Sequence, residues 1–295
     1  MSLVILLALL SSVFYGASDF LGALSSRKMP VITASVAIYC AATVTSLVAF
    51  LFVPSVWSVT AIWSGTIAAV FAVVGMVSFY AALAIGPMSL LAPLIALIQT
   101  SVPVTVAALT GRNLSLVGWI AVGIALTATT LISVSTGATL QRISPRGAVL
   151  ALISGVTLGL TVVSLDFAPA SSGVIPAFLD ITVGLVLLLP LIALRRFRRS
   201  DAWMIWNTDA ALTPLQVSAR AWGLTALGGT LLGVGNVLLV VALHSGNLAV
   251  VAVLMSLYPL ATVLLAWIVL KERIGLVQFF GVLLAIAAAI MLSLN

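Results

Sequence analysis

The chain has 295 residues, of which 63% are hydrophobic and only 6% charged, and its mean hydropathy is +1.35. A soluble domain is about 45–50% apolar and about 25% charged, so a soluble fold is excluded and the chain belongs in lipid. The formal charge of +6 therefore bears on which side of a bilayer the basic residues occupy, not on nucleic acid, which is not an expected partner. The single cysteine, Cys40, rules out an intrachain disulfide.

A helix needs about 20 apolar residues to cross a bilayer. Runs of that kind occur at about 3–26, 31–53, 62–84, 88–109, 114–135, 147–167, 173–194, 221–243, 247–270 and 274–294. The first contains VILLALLSSV, which resembles the apolar part of a secretory leader. It lacks a preceding basic segment and continues to Leu24, so it reads as a first span. Spans 3 and 4 are separated only by Ile85-Gly86-Pro87, and spans 8 and 9 by His244-Ser245-Gly246. Both breaks suit tight helical hairpins.

The two halves of the chain resemble each other. A shift of 160 aligns residues 82–133 with 242–293 without a gap, with 12 of 52 positions identical. A shift of 143 aligns ALLSSVFYG (8–16) with ALISGVTLG (151–159). The extra 17 residues fall in the loop between spans 7 and 8, at about 195–220. Residues 1–136 and 147–295 then form two five-helix repeats. Five is odd, so the second repeat enters the membrane inverted. The expected fold class is an all-α membrane protein of ten transmembrane helices in two inverted five-helix repeats. This is a common plan of secondary transporters, with the binding site near the midplane.

With ten spans, loops 1–2, 3–4, 5–6, 7–8 and 9–10 share one side and hold 11 of the 12 basic residues. Arg112 stands on the other side. Basic loops stay in the cytoplasm, which places both termini outside. The arginines of the 7–8 loop read as anchors to anionic headgroups. The seven tryptophans lie almost all at span ends and read as an interfacial belt.

Enzyme signatures are sparse. His244 is the single histidine, so no His-rich metal site is expected, and no cofactor is implied. Gly16-Ala17-Ser18-Asp19-Phe20 lacks the second glycine of a nucleophile elbow. A membrane hydrolase using Ser18, Asp19 and His244 is the least favoured reading. No nucleotide-binding motif is present, so ATP hydrolysis by this chain is not expected.

Charges inside spans cost roughly 2.5–3.5 kcal/mol each at the helix centre and so point to function. Asp19 lies eight residues before Arg27, about 12 Å along a helix. Ser12, Tyr15, Gly16 and Asp19 share one helical face. Asp19 reads as a site for a substrate amine or a coupling proton. It reads equally as a structural carboxylate that caps a neighbouring helix or pairs with Arg27 or Lys28. Asp180, flanked by Pro176 and Pro190, is a gate residue or a hydrogen-bonded structural group. Asp166 ends span 6 at the interface. Tyr80, Gln99, Asn236, Ser256 and Tyr258 line a cavity or act as helix–helix glue. Pro93, Pro103 and Pro259 free backbone carbonyls and permit bends in candidate gating helices. Gly228, Gly229, Gly233 and Gly235 allow span 8 to pack closely.

The chain resembles the drug/metabolite transporter superfamily, and within it the ten-helix EamA-type exporters. The resemblance rests on the two five-helix repeats, FYGASDFLGALSSRK in the first span and the tight hairpins. It rests also on Pro259 followed by LKERIGLVQFFGVLLAIAAAIML, with Glu272, Arg273 and Gly281 in the family's positions. Half one departs from it, with Gly111-Arg112-Asn113 where the acidic residue is expected, so Glu272 reads as a helix cap or salt-bridge member. Family members often have cytoplasmic termini, the reverse of what the charges here indicate.

The resemblance implies export of small metabolites, such as amino acids or amphiphilic compounds, across the cytoplasmic membrane by alternating access. Related carriers enclose a cavity with helices 1, 3, 4, 6, 8 and 9. By helix number, this supports Tyr15, Asp19, Tyr80, Gln99, Asn236 and Tyr258 as substrate-binding residues, while Pro93, Pro103, Pro259 and Asp180 are gating candidates from the proline bends and the intramembrane charge. Expected partners are a small-molecule substrate, membrane lipids and, for Asp19, protons as coupling ion, with the chain acting as a monomer or homodimer. The alternative is a lipid flippase or lipid-carrier subunit. The charge pattern generates a test of orientation. A reporter active only outside the cytoplasm, fused after Asn295, is expected to be active, and activity of a cytoplasmic reporter there would reverse the topology.

Overall fold

The computed structural model describes residues 2–26, 29, 31–85, 88–112, 114–133, 144–197, 217–271 and 275–293. Among them the chain is all helical. The helices are α1 (Ser2–Ser26), α2 (Val31–Phe52), α3 (Val59–Ile85), α4 (Met88–Leu109), α5 (Leu116–Ser133), α6 (Pro145–Asp166), α7 (Ile175–Phe197), α8 (Ala219–Ser245), α9 (Leu248–Met255), α10 (Tyr258–Leu270) and α11 (Leu276–Ser293). Six segments are long and apolar enough to cross a membrane, the sixth being Leu248–Leu270, and four shorter apolar segments accompany them. The chain is a multi-pass membrane protein.

Local chemistry explains the helix ends. Ser144 accepts a hydrogen bond from the Gly147 N–H and is followed by Pro145 at the first helical position. Serine at the cap satisfies an orphan N–H, and proline there forfeits nothing. Ser218 caps α8 through the Ala221 N–H. Asn247 caps α9 through the Ala249 N–H at 2.8 Å. Only Gly246 and Asn247 separate α8 from α9, which makes the expected 8–9 hairpin. Residues 86 and 87 of the 3–4 break, the loop segment 198–216, and Glu272 and Arg273 lie outside the described residues.

Span 9, expected as one helix over 247–270, is broken at Ser256-Leu257 into α9 and α10. Pro259 has no N–H to offer the carbonyl four residues back. Leu257 N–H instead bonds the Leu254 carbonyl at 3.3 Å, and the Ser256 hydroxyl bonds that of Val253 at 2.7 Å. The Thr129 hydroxyl of α5 donates to the Ser256 carbonyl. Freed groups at the break thus find partners inside the bundle, as lipid requires. By contrast α4 continues through Pro93 and Pro103.

The surface is more apolar than the contacts within. Leu3, Leu6, Leu10 and Val13 form an exposed stripe on α1, while Ser11, Ser12 and Ser18 are buried. Association in lipid rests on close packing and interhelical hydrogen bonds, so small and hydroxyl residues occupy the interior. Trp57, Trp63, Trp119, Trp222 and Trp267 are all exposed.

The helix contacts come in related pairs. α1 packs on α8 and α3 on α6; α2 packs on α8 and α3 on α7; α1 packs on α10 and α4 on α6. α5 meets α11, α2 meets α7, and α4 meets α9. The pairing extends to single atoms. Ser11 Oγ donates to the Gly235 carbonyl at 2.8 Å, and Ser154 Oγ donates to the Gly75 carbonyl at 2.9 Å. A Cβ on Gly235 would press on Tyr15 and Phe14, and one on Gly75 on Leu158 and Thr157. A Cβ on Gly16 would collide with the Tyr258 carbonyl, and one on Gly159 with the Gln99 carbonyl.

Loops at one end also meet. Val56 N–H bonds the Ser171 carbonyl at 2.9 Å. Arg112 forms an ion pair with Asp166, and Asn247 Nδ2 donates to the Arg112 carbonyl. The links 2–3, 4–5, 6–7 and 8–9 therefore share one end of the bundle. The Arg112–Asp166 pair gives a partner to the one basic residue expected on that side.

Close packing at Gly16 generates a test. Gly16→Ala is expected to destabilise the protein by about 1–3 kcal/mol, because the neighbouring group is rigid backbone. Gly123→Ala, where a Cβ meets nothing within 4 Å, is expected to be neutral or stabilising by up to about 1 kcal/mol. Thermal unfolding of both variants in detergent checks this, and equal behaviour would contradict the packing.

Candidate functional site

α1 has a lipid stripe at Leu3, Leu6, Leu10 and Val13. At 3.6 residues per turn the opposite side carries Ser12, Tyr15 and Asp19. Tyr15 is half-buried and lies against Gly235 of α8. Its hydroxyl donates to Asn236 Oδ1 at 3.2 Å. Asn236, fully buried, in turn donates from Nδ2 to Asp180 Oδ2 of α7 at 2.8 Å. The same Nδ2 stands 3.5 Å from the Ala177 carbonyl. A hydrogen-bonded chain therefore crosses the bundle from α1 through α8 to α7.

Asp19 lies one turn beyond Tyr15. It is exposed, on the face of α1 opposite the lipid stripe. Asp19, Asp180 and Tyr39 are all electrostatic neighbours of Tyr15. The structure thus gathers three of the expected residues, Tyr15, Asn236 and Asp180, into one network with Asp19 beside it. Asp180, separated from the lining residues in the sequence reading, is bonded to one of them.

The remaining expected residues fall elsewhere. Gln99 is half-buried on α4 and Pro103 is buried there. Tyr258 and Pro259 are half-buried at the start of α10, where the Tyr258 carbonyl abuts Gly16. The side chains of Tyr80 and Pro93 lie outside the described residues. Sequence reasoning missed Tyr39, whose ring lies against Gly184 of α7. Its signal was available, since it is one of only four tyrosines in the chain.

Ser18 and His244 lie near opposite ends of α1. The Ser18 carbonyl faces Gly228, whereas Val4 faces Gly246. Ser18 and Val4 are 14 residues apart, about 21 Å along the helix. Ser18, Asp19 and His244 therefore do not form a catalytic triad. Among the described residues, no three His, Cys, Asp or Glu side chains gather as for a metal.

A separate apolar cleft of about 680 Å³ opens between α1, α10 and α11. Ile5, Leu9, Val13, Leu264 and Ile286 line it, with Ser12 as its hydroxyl group. Its lining includes neither carboxylate of the network.

The model of the EamA-like transporter family matches residues 145–294, half of the chain. The chain belongs to the EamA-like transporter family. This EamA-like chain is a membrane transporter of small solutes. No curated protein matches it. A solved crystal structure is similar over 100% of this chain and 97% of its own, with a TM-score of 0.76 and 16% identity. At that identity the likeness shows the fold alone.

The network generates a test. Asn236→Leu removes the donor to a buried carboxylate, and leaving such a group unsatisfied costs about 1–3 kcal/mol. Asp180→Leu combined with Asn236→Leu is expected to be less destabilised than the sum of the two single variants. Strict additivity in thermal unfolding would show that the two side chains are not coupled.

Proposed function

We propose that the chain exports small metabolites, such as amino acids or amphiphilic compounds, across the cytoplasmic membrane by alternating access. The observation that carries this reading is the polar crossing of Tyr15, Asn236 and Asp180, with Asp19 one turn beyond Tyr15 on the same face of α1. An intramembrane carboxylate is expensive and marks a substrate or ion path. Tyr15, Asp19 and Asn236 form the near side of the substrate site in this reading. Tyr80 of α3, Gln99 of α4 and Tyr258 of α10 stay candidate lining residues by the family resemblance alone.

The halves move as inverted repeats. Support comes from the paired bonds Ser11–Gly235 and Ser154–Gly75. Their donors differ by 143 and their acceptors by 160, the two shifts that align the halves of the sequence. Gly16 on Tyr258 and Gly159 on Gln99 follow the same relation to within one residue. Pro93 and Pro103 on one side, and Pro259 at the α9–α10 break on the other, provide the gating bends. Asp180 joins gate to site through Asn236. Both termini face outward, as the basic loops indicate.

The apolar cleft between α1, α10 and α11 favours a second reading, lipid flipping, because a lateral opening suits acyl chains.

Cells overexpressing the protein and challenged with a panel of amino acids and amphiphilic toxins are expected to show resistance to one class. Flux of that compound into proteoliposomes should then fall about tenfold or more in Asp19→Asn, in line with about 1.5–3 kcal/mol for a hydrogen bond to a charged group. Unchanged flux, with no dependence on a pH gradient, would remove Asp19 from the site and from proton coupling. Scrambling of labelled lipid without solute flux would favour the flippase.

A further inference from the structure

Asp180 is 5% exposed. Its Oδ2 takes one hydrogen bond, from Asn236, while its Oδ1 is buried with no partner. Among the described residues no cationic side chain pairs with it, and its hydrogen-bond donor is the neutral Asn236 amide. A carboxylate enclosed in a bundle with one neutral donor and no countercharge is a strongly unfavourable arrangement unless something positive completes it.

Two further oxygens lie at the Asn236 amide that bonds it. Tyr15 spends its hydroxyl proton on Asn236, which leaves the lone pairs of Oη unused. The Ala177 carbonyl stands one turn away on α7 and close to the same amide. α2 meets α7 through the stacked rings of Phe50 and Phe178 and through Tyr39 on Gly184. The α2 face that carries Tyr39 and Phe50 also carries Thr43 and Ser46, whose hydroxyls are buried without partners. The contact between α2 and α7 is thus rich in unengaged neutral oxygen.

We propose that Asp180 Oδ1, with Tyr15 Oη and the Ala177 carbonyl, binds a small monovalent cation between α1, α7 and α8. Oxygen ligands suit hard cations. One carboxylate balances one positive charge, whereas a divalent ion would leave an excess charge buried. Asp180 is buried and absent from the lining of the large cleft, which favours a small ion over an alkylammonium group. The groups facing the site are Tyr15 and Asp19 from α1, Tyr39 from α2 and the neutral Asn236 from α8. α3 approaches α7 at Gly65, against Pro176 and Leu179, and brings no charge there. Through Asn236 and Tyr15, occupancy of the site sets the side-chain positions next to Asp19. That coupling role rests on the transport reading; the binding site does not.

Sodium is the probe. The purified full chain in detergent is unfolded thermally in sodium chloride, with choline chloride holding ionic strength constant. Ligand bound to the native state raises stability with its concentration. The expected result is a saturating rise in Tm with sodium and a flat curve with choline. Asp180→Asn should abolish the rise, Asp19→Asn should keep it, and Tyr15→Phe should move its midpoint to severalfold higher sodium. Should Asp180→Asn fail to fold, Tyr15→Phe and Asp180→Glu decide the matter, and unchanged midpoints in both would overturn the site. Identical sodium and choline curves in the wild type would overturn it too, showing that the carboxyl holds only a proton. A sodium-dependent Tm without solute flux would leave the site standing and defeat the coupling role. Flux without sodium-dependent stability would defeat the site and its coupling role together and leave the transport reading standing.

Discussion

The bundle depends on how closely α1 approaches α8 and α3 approaches α6. Lipid offers helices no hydrophobic reason to associate, so contact must come from packing and internal hydrogen bonds. Gly235 and Gly75 remove the side chains that would hold the helices apart. Ser11 and Ser154 then reach the exposed carbonyls of those glycines. Each bond is made where water is absent, and each closes a polar group that lipid cannot satisfy.

The functional network is a consequence of that contact. Tyr15 reaches Asn236 because α1 lies flush on α8 one turn from the Ser11 bond. Asn236 then spans to Asp180 because α7 packs on the other side of α8. The residues of the site come from α1 and from the consecutive helices α7 and α8, with separations of 221 and 56 residues for the two bonds. The same constraint explains the break between α9 and α10. Proline ends the helical ladder, Leu260 N–H turns to the Leu257 carbonyl, and the Ser256 carbonyl so released accepts from Thr129 of the packed α5.

Much of the fold could be read from the chain. Helix positions follow from apolar runs, and their boundaries agree to within a few residues at α1, α2, α4, α6, α8 and α11. The 8–9 break was legible at His244-Ser245-Gly246, and the structure places it at Gly246 and Asn247. The break at Ser256-Leu257 was signalled by Pro259 but not located, because a proline bend is decided by which neighbour accepts the freed group. The site was legible as a set of polar residues in apolar spans, but not as a constellation. Asp180 and Asn236 stood in different roles, and Tyr39 went unnoticed, because hydropathy identifies costly residues without pairing them.

The sequence by itself determined that this chain lies in a membrane and how often its apolar runs recur. Those properties are local, because transfer of side chains into lipid is roughly additive along the chain. Only the tertiary structure decided which polar groups meet, because a hydrogen bond requires two helices in register to within a few tenths of an ångström. Asp180 shows the difference. Its cost could be counted from its place in a span, but its one donor and its one unfilled oxygen exist only once α1, α7 and α8 have packed.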